Sequence, residues 1–206
     1  MFALVQDGSI TKTLSGNRGV TIGDAQYPQN IFTLWSAAEK EAIGIYEIVW
    51  DNTNKKDEAY YINTSQSFAF AGGAVTASYG SPTAKAIDDV LFTAQDEIDG
   101  LGTEGELASR GLKYNLIQTV KKQAAGELQN TDWYVVRKAD AGTAVPSAIT
   151  THRAAVRTKC AEMETAITNA ADTPAIETLY TYVNTADEGD PVVMERPLGE
   201  FPVLGS

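Results

Sequence analysis

The chain carries a single cysteine, Cys160, and a single histidine, His152, among 206 residues. One thiol forms no internal disulfide, and one thiol with one imidazole cannot supply the four Cys/His ligands of a structural zinc site. Basic residues are also scarce: 16 Lys and Arg stand against 27 Asp and Glu, a formal charge of -11. That balance argues against nucleic acid as a partner, because phosphate binding draws on Lys and Arg, and against an anionic membrane surface for the same reason. No apolar run reaches the roughly 18 residues of a spanning helix. The opening MFALVQDGSI has neither a basic segment nor a long apolar one, so the expectation is a chain made in the cytoplasm that stays soluble. With 43% hydrophobic residues the chain nevertheless has the material for a packed core, enough for one or two ordinary domains.

The first eighty or so residues read as β structure. Phe2–Gln6 and Ser9–Leu14 flank Asp7-Gly8, a dipeptide suited to a type I′ hairpin turn, whose two central residues both need positive φ. Ile45–Trp50, a polar loop from Asp51 to Glu58, and Ala59–Ile62 predict a second hairpin. Gln66–Ala71 and Ala74–Tyr79 around Gly72-Gly73 predict a third. Between them Ser36-Ala-Ala-Glu39 is a capping box opening a short helix that Gly44 ends. From about residue 83 the apolar period shifts toward 3.6, first over Ala84–Ala94 and then after Thr103-Glu-Gly-Glu106, a second capping box. Leu112, Leu116, Val120, Ala124 and Leu128 repeat every four residues up to Asn130, and Pro146 opens a second long helix. On that helix Ile149, His152, Val156, Cys160, Met163, Ile167 and Ala170 form one stripe. Two such helices with a short connector should pack as a hairpin. Thr173-Pro174 starts a third helix, and after Asp187 the chain is extended, with Pro191, Pro197 and Pro202.

The expected fold is therefore α+β: a small N-terminal antiparallel sheet unit with one short helix over residues 1–80, a helical domain over 83–186, and an extended acidic, proline-containing arm over 187–206. Charge is segregated along this map. Asp88 to Glu106 holds seven acids and no base, whereas Arg110 to Lys159 holds nine bases against three acids, and the arm has five acids with only Arg196. An acidic arm and a basic helical pair can attract each other, within a chain or between copies; the plainer reading is that both are solvated helix faces.

Catalytic chemistry finds little purchase. A nucleophile–His–acid triad would have to use His152, which sits on the apolar stripe where a core residue belongs. Cys160, two turns along the same stripe, reads as a small core hydrophobe. Gln95-Asp96-Glu97-Ile98-Asp99-Gly100 with Glu106 has the spacing of a calcium loop but starts on Gln and has Gly102 where an apolar residue belongs. Gly100-Leu-Gly102-Thr-Glu-Gly105 fits a dinucleotide fingerprint only superficially, with no strand before it. The expectation is no catalytic residue, no metal and no cofactor.

The segment Thr131-Asp132-Trp133-Tyr134-Val135-Val136-Arg137 is the most distinctive stretch. Thr131 suits an N-cap, Asp132 favours the positive end of a new short helix, and Trp133 lies one turn from Arg137, within cation–π reach. These residues predict a packed corner between helices, with Trp133 mostly buried and worth about 3–5 kcal/mol. A long helix, Thr-Asp-Trp, a variable loop, and then a helix carrying His152-Arg153-Ala154-Ala155-Val156-Arg157 resembles the C-terminal region of tail-fibre-assembly and tail-assembly-chaperone-like proteins of tailed bacteriophages. The opening Met1-Phe2-Ala3-Leu4-Val5 resembles that of tail-fibre-associated proteins of such phages, marine ones especially. The resemblance covers roughly residues 1–50 and Gly105 to Ile167. It departs at Lys121-Lys122-Gln123-Ala124-Ala125-Gly126-Glu127-Leu128, where the family helix usually carries an Arg and a Leu-Leu pair.

What the resemblance implies is a phage protein made in the host cytoplasm and carried in the virion tail: a tail fibre, fibre adaptor or baseplate-associated subunit. Its partners would be other tail subunits and copies of itself, with no nucleic acid and no membrane. A tail-fibre assembly chaperone absent from the mature particle is the alternative, and an enzyme acting on host glycans comes third. The arm's two apolar clusters, Val192-Val193-Met194 and Phe201 with Val203 and Leu204, are each bounded by a proline and are expected to anchor on a neighbouring subunit rather than in this chain's own core.

Overall fold

A computed structural model describes residues 1–205; Ser206, the last residue of the expected arm, lies outside the described residues. The chain mixes α and β elements and divides into two compact units, 1–83 and 84–206.

In the first unit, β1 (Phe2–Gln6) and β2 (Ser9–Leu14) form the expected hairpin, with Asp7 at φ 50° and Gly8 at φ 74° as a type I′ turn requires. A small hairpin, β3 (Val20–Ile22) and β4 (Ala25–Tyr27), precedes the helices α1 (Ile31–Leu34) and α2 (Ala37–Glu41). The capping box forms as expected: Ser36 Oγ accepts from the Glu39 amide at 3.3 Å, and the Ser36 amide donates to Glu39 Oε2 at 2.8 Å. Gly44 then turns the chain into β5 (Ile45–Asp51) at φ 80°, where a Cβ would lie 2.5 Å from the Val5 carbonyl oxygen, so only glycine fits.

The second expected hairpin does not form. Strand β6 (Tyr61–Ile62) has only two residues, and β5 pairs instead with β1 and, in parallel, with β8 (Ala74–Tyr79), the return strand of the hairpin it makes with β7 (Gln66–Ala71). The five-stranded order is β2-β1-β5-β8-β7, so the sheet is mixed rather than antiparallel. Two physical causes are visible. The polar loop after β5 satisfies its own backbone, with Asn63 accepting from the Lys56 amide at 2.9 Å and donating to the Lys56 carbonyl at 2.8 Å. Meanwhile Val75 and Ala77 of β8 are fully buried and join Ala3, Val5 and Ile48 in one cluster, which places β8 inside the sheet between β5 and β7. On the other face Leu4, Leu14, Val20, Ile31, Phe32 and Ile45 form a second cluster. Strand β9 (Thr83–Ala84) follows at the unit boundary.

The second unit begins irregularly. Residues 84–94 are not the expected helix: β10 (Val90–Leu91) pairs with β11 (Leu107–Ser109) around the single-turn helix α3 (Ala94–Ile98). The capping box there is Thr93 with Asp96, not Thr103 with Glu106. Glu106 is held by the strand pair, its carbonyl accepting from the Phe92 amide. Helix α4 (Leu112–Gln129) then runs antiparallel to α6 (Ser147–Asn169), as two cross-links show: Lys121 to Glu164 at 3.2 Å, and Arg153 Nη1 to the Leu128 carbonyl at 3.0 Å. Their connector is itself a helix, α5 (Asp132–Ala141), closed by Gly142 at φ 68°. Helix α7 (Thr173–Tyr180), N-capped by Asp172, leads to the two-residue strands β12 (Val183–Asn184) and β13 (Met194–Glu195).

The arm corrects the expectation of an extended segment with no place in its own core. Leu198 is 3% exposed and clusters with Val120, Met163 and Ile167, while Phe201 lies half-buried on the same cluster. The Leu198 amide donates to the Leu179 carbonyl at 3.0 Å. Intramolecular docking wins here because it carries no association cost. Val192, Val193, Met194, Val203 and Leu204 stay exposed.

Candidate interaction surface

The corner where α4, α5 and α6 meet is built around Arg153, not Trp133. Thr131 closes α4: it is buried, and its Oγ1 donates to the Leu128 carbonyl at 2.8 Å rather than capping α5. The backbone explains this, since Thr131 lies at φ −113°, ψ 0° instead of the extended geometry of a side-chain N-cap. Arg153 reaches across from α6 and donates to Thr131 Oγ1 at 2.7 Å, to the Leu128 carbonyl at 3.0 Å and to Asp132 Oδ1 at 2.8 Å. One guanidinium thus satisfies a helix C-terminal carbonyl, a buried hydroxyl and the first carboxylate of the next helix. Arg153 is one of the few buried charged residues, and its three partners offset its desolvation. Sequence reasoning missed this role, although a signal was present: Arg153 lies four residues after Ile149 and three before Val156, on the same stripe as His152. His152 itself is buried on α6, as expected.

Trp133 is 51% exposed, contrary to the expected buried corner. Its ring stacks on Tyr134 at 4.0 Å between centroids, and the Arg137 guanidinium lies over it at 4.5 Å. The cation–π contact is therefore present, but on the outside of the corner. The reason is positional: the Arg153 network fills the inner side, so α5 turns its aromatic side outward. None of the ten residues of α5 is buried. Trp133, Val135 and Val136 are all exposed, Val136 at 65%. Arg137 Nε is buried without a hydrogen-bond partner.

Beside α5 lies a cleft of about 310 Å³, walled by Val135, Lys138, Val145, Thr150, Arg153 and Arg157. Among the described residues, Arg137, Lys138 and Arg157 have no carboxylate within 4.0 Å. Neither this cleft nor the cleft of about 460 Å³ in the first unit, walled in part by Lys12, Ser15, Arg18 and Phe32, has a carboxylate in its lining.

The other candidate residues are occupied structurally. Within the calcium-like loop, Asp96 caps α3 and accepts from Thr93, Glu97 Oε2 accepts from the Glu104 amide at 3.1 Å, and Gln95 donates to Asp99 at 2.9 Å. The hydrogen bonds from Thr93 hold the Asp96 carboxyl below its ordinary pKa. Among the described residues no group of three or more His, Cys, Asp or Glu side chains is arranged to hold a metal ion. Cys160 donates to Glu164 Oε1 at 3.3 Å, and burial first, then that carboxylate, raises its thiol pKa, so it is a poor nucleophile at neutral pH. No helix of the described residues is long and apolar enough to cross a membrane.

Comparison with known protein families, with curated proteins and with solved structures finds no match to this chain.

Proposed function

We propose that this chain is a structural subunit of a tailed-bacteriophage tail, as a fibre, fibre adaptor or baseplate-associated component, and that it works by protein–protein assembly rather than catalysis. The observation that carries an assembly role is α5, a ten-residue helix that buries none of its own residues while presenting Trp133, Val135 and Val136 beside a cationic cleft. A helix of that length is marginal on its own, and most helical stability comes from burying an apolar face. A partner that covers α5 supplies that burial. The phage assignment rests on the resemblance of Thr131–Arg137 and His152–Arg157 to tail-fibre-assembly and chaperone-like proteins. The layout fits it as a small N-terminal sheet unit followed by a helical hairpin, α4 and α6, with α5 set into its turn.

The second reading is a tail-fibre assembly chaperone that leaves before the particle matures. An exposed apolar helix beside unpaired cations also suits transient capture of an acidic client. Mass spectrometry of purified particles separates the two. Stoichiometric presence of the chain supports the structural subunit; presence in infected-cell lysate with absence from purified particles overturns it in favour of the chaperone.

A further inference from the structure

Helix α5 has its chemical complement in the arm of the same chain. The β12–β13 hairpin exposes Val192 (70%), Val193 and Met194 around the acids Asp187, Glu188, Asp190 and Glu195. Among the described residues none of these four carboxylates has a basic group within 4.0 Å. The α5 face offers the inverse: Trp133, Val135 and Val136 exposed, with Arg137, Lys138 and Arg157 lacking carboxylate partners. The hairpin is prefolded, since the Thr185 amide donates to the Val193 carbonyl at 2.8 Å and the Val193 amide to Asn184 Oδ1 at 3.0 Å. Prefolding lowers the entropy lost on docking.

We infer that the β12–β13 hairpin of one copy docks on the α5 face and adjoining cleft of a second copy. This inference rests on reading the chain as an assembling subunit. The arm is rooted through Leu198 on Met163 and Ile167, whereas Thr150, Arg153 and Arg157 wall the cleft. Arg157 and Ile167 are about 15 Å apart along α6 by helical rise. Donor and acceptor surfaces therefore occupy different stretches of that helix. A contact between them is head-to-tail, and a bound pair keeps one free arm on one copy and one free face on the other, the requirement for a ring or a filament. Acidic and basic surfaces set the register and make the association weaken with salt, while the apolar residues on both sides provide the buried area.

Analytical ultracentrifugation of the whole chain over rising concentration, at low and high salt, tests this. The wild-type chain is expected to self-associate, more weakly at high salt. Reversing the face (Lys138→Glu with Arg157→Glu) or the arm (Glu188→Lys with Asp190→Lys) should each weaken self-association by at least about tenfold. An equimolar mixture of the two variants should recover it, because each reversed surface meets its complement on the other variant. Circular dichroism checks that both remain folded; if either unfolds, Val136→Ser and Val192→Ser, at exposed positions, carry the same test by loss of association alone. A wild-type chain that stays monomeric at every concentration and salt, or a mixture that does not recover, overturns the docking. If the chain is stoichiometric in particles yet the mixture fails, the docking falls and the tail-subunit reading stands. If the mixture recovers and the chain is absent from particles, the reverse holds.

Discussion

Leu198→Ala probes how the arm is held. Leu198 is 3% exposed and fills a cluster with Val120, Met163 and Ile167, flanked by Leu179, Tyr180 and Phe201. Truncation removes the side chain's transfer free energy and leaves a cavity against Val120 of α4 and Met163 and Ile167 of α6. Leucine-to-alanine changes at such sites cost about 2–5 kcal/mol, and about 3 kcal/mol is the expectation here, because the site lies near the chain's end where neighbours relax more readily than at the centre of a core. For a unit of this size that corresponds to a fall in Tm on the order of 10 °C. Far-UV circular dichroism during thermal and urea unfolding reports the helices directly, and Val192→Ala, at a 70% exposed position of the same arm, is the control expected to stay within about 0.5 kcal/mol. A loss below about 1 kcal/mol for Leu198→Ala, or equal effects of the two changes, would mean that the arm is not seated in the helical core and that the reasoning from its burial is wrong.

Arg153→Ala should destabilise the chain by about 2–3 kcal/mol, since it removes the one buried cation that joins the Leu128 carbonyl, the Thr131 hydroxyl and the Asp132 carboxylate, and Arg153→Lys should recover little because all three contacts are made at Nη1 and the lysine ammonium ends one bond short of that position; chemical denaturation of both variants checks this. Trp133→Ala should cost no more than about 1 kcal/mol, the loss of one exposed cation–π contact, and quenching by iodide should find the indole accessible; a loss near 3 kcal/mol would restore the buried-corner expectation. Asp89 accepts from the Gly111 amide at 2.9 Å and pairs with Arg110 at 2.6 Å, and these contacts, the amide first, lower its carboxyl pKa. Its folded pKa being depressed, its contribution is present above the ordinary carboxylate pKa and lost as pH falls, so Asp89→Asn should flatten the decline of stability below about pH 4 in acid titrations followed by circular dichroism.

Local chemistry was legible wherever a few neighbouring residues decide the outcome. Asp7-Gly8 adopts the two positive φ values its turn needs, Ser36 and Glu39 close their capping box, and Pro146 precedes α6 because its fixed φ and missing amide suit that place. The apolar stripe through Ile149, His152, Val156, Met163 and Ile167 is buried as its period implies. Three features depended on distant parts of the chain. The partner of β5 was decided by which strand buries Val75 and Ala77 against Ile48, a competition that adjacency in sequence cannot reveal. The orientation of Trp133 was decided by Arg153, 20 residues further along, whose guanidinium occupies the inside of the corner and leaves the indole outside. The arm was divided by the shape of the α4–α6 groove: Leu198 finds a place with Val120, Met163 and Ile167, while Val192, Val193 and Met194 find none and remain in solvent. Short-range rules set backbone conformation because turn and cap energies act over a few residues, whereas burial is shared among all elements and is settled only when they meet.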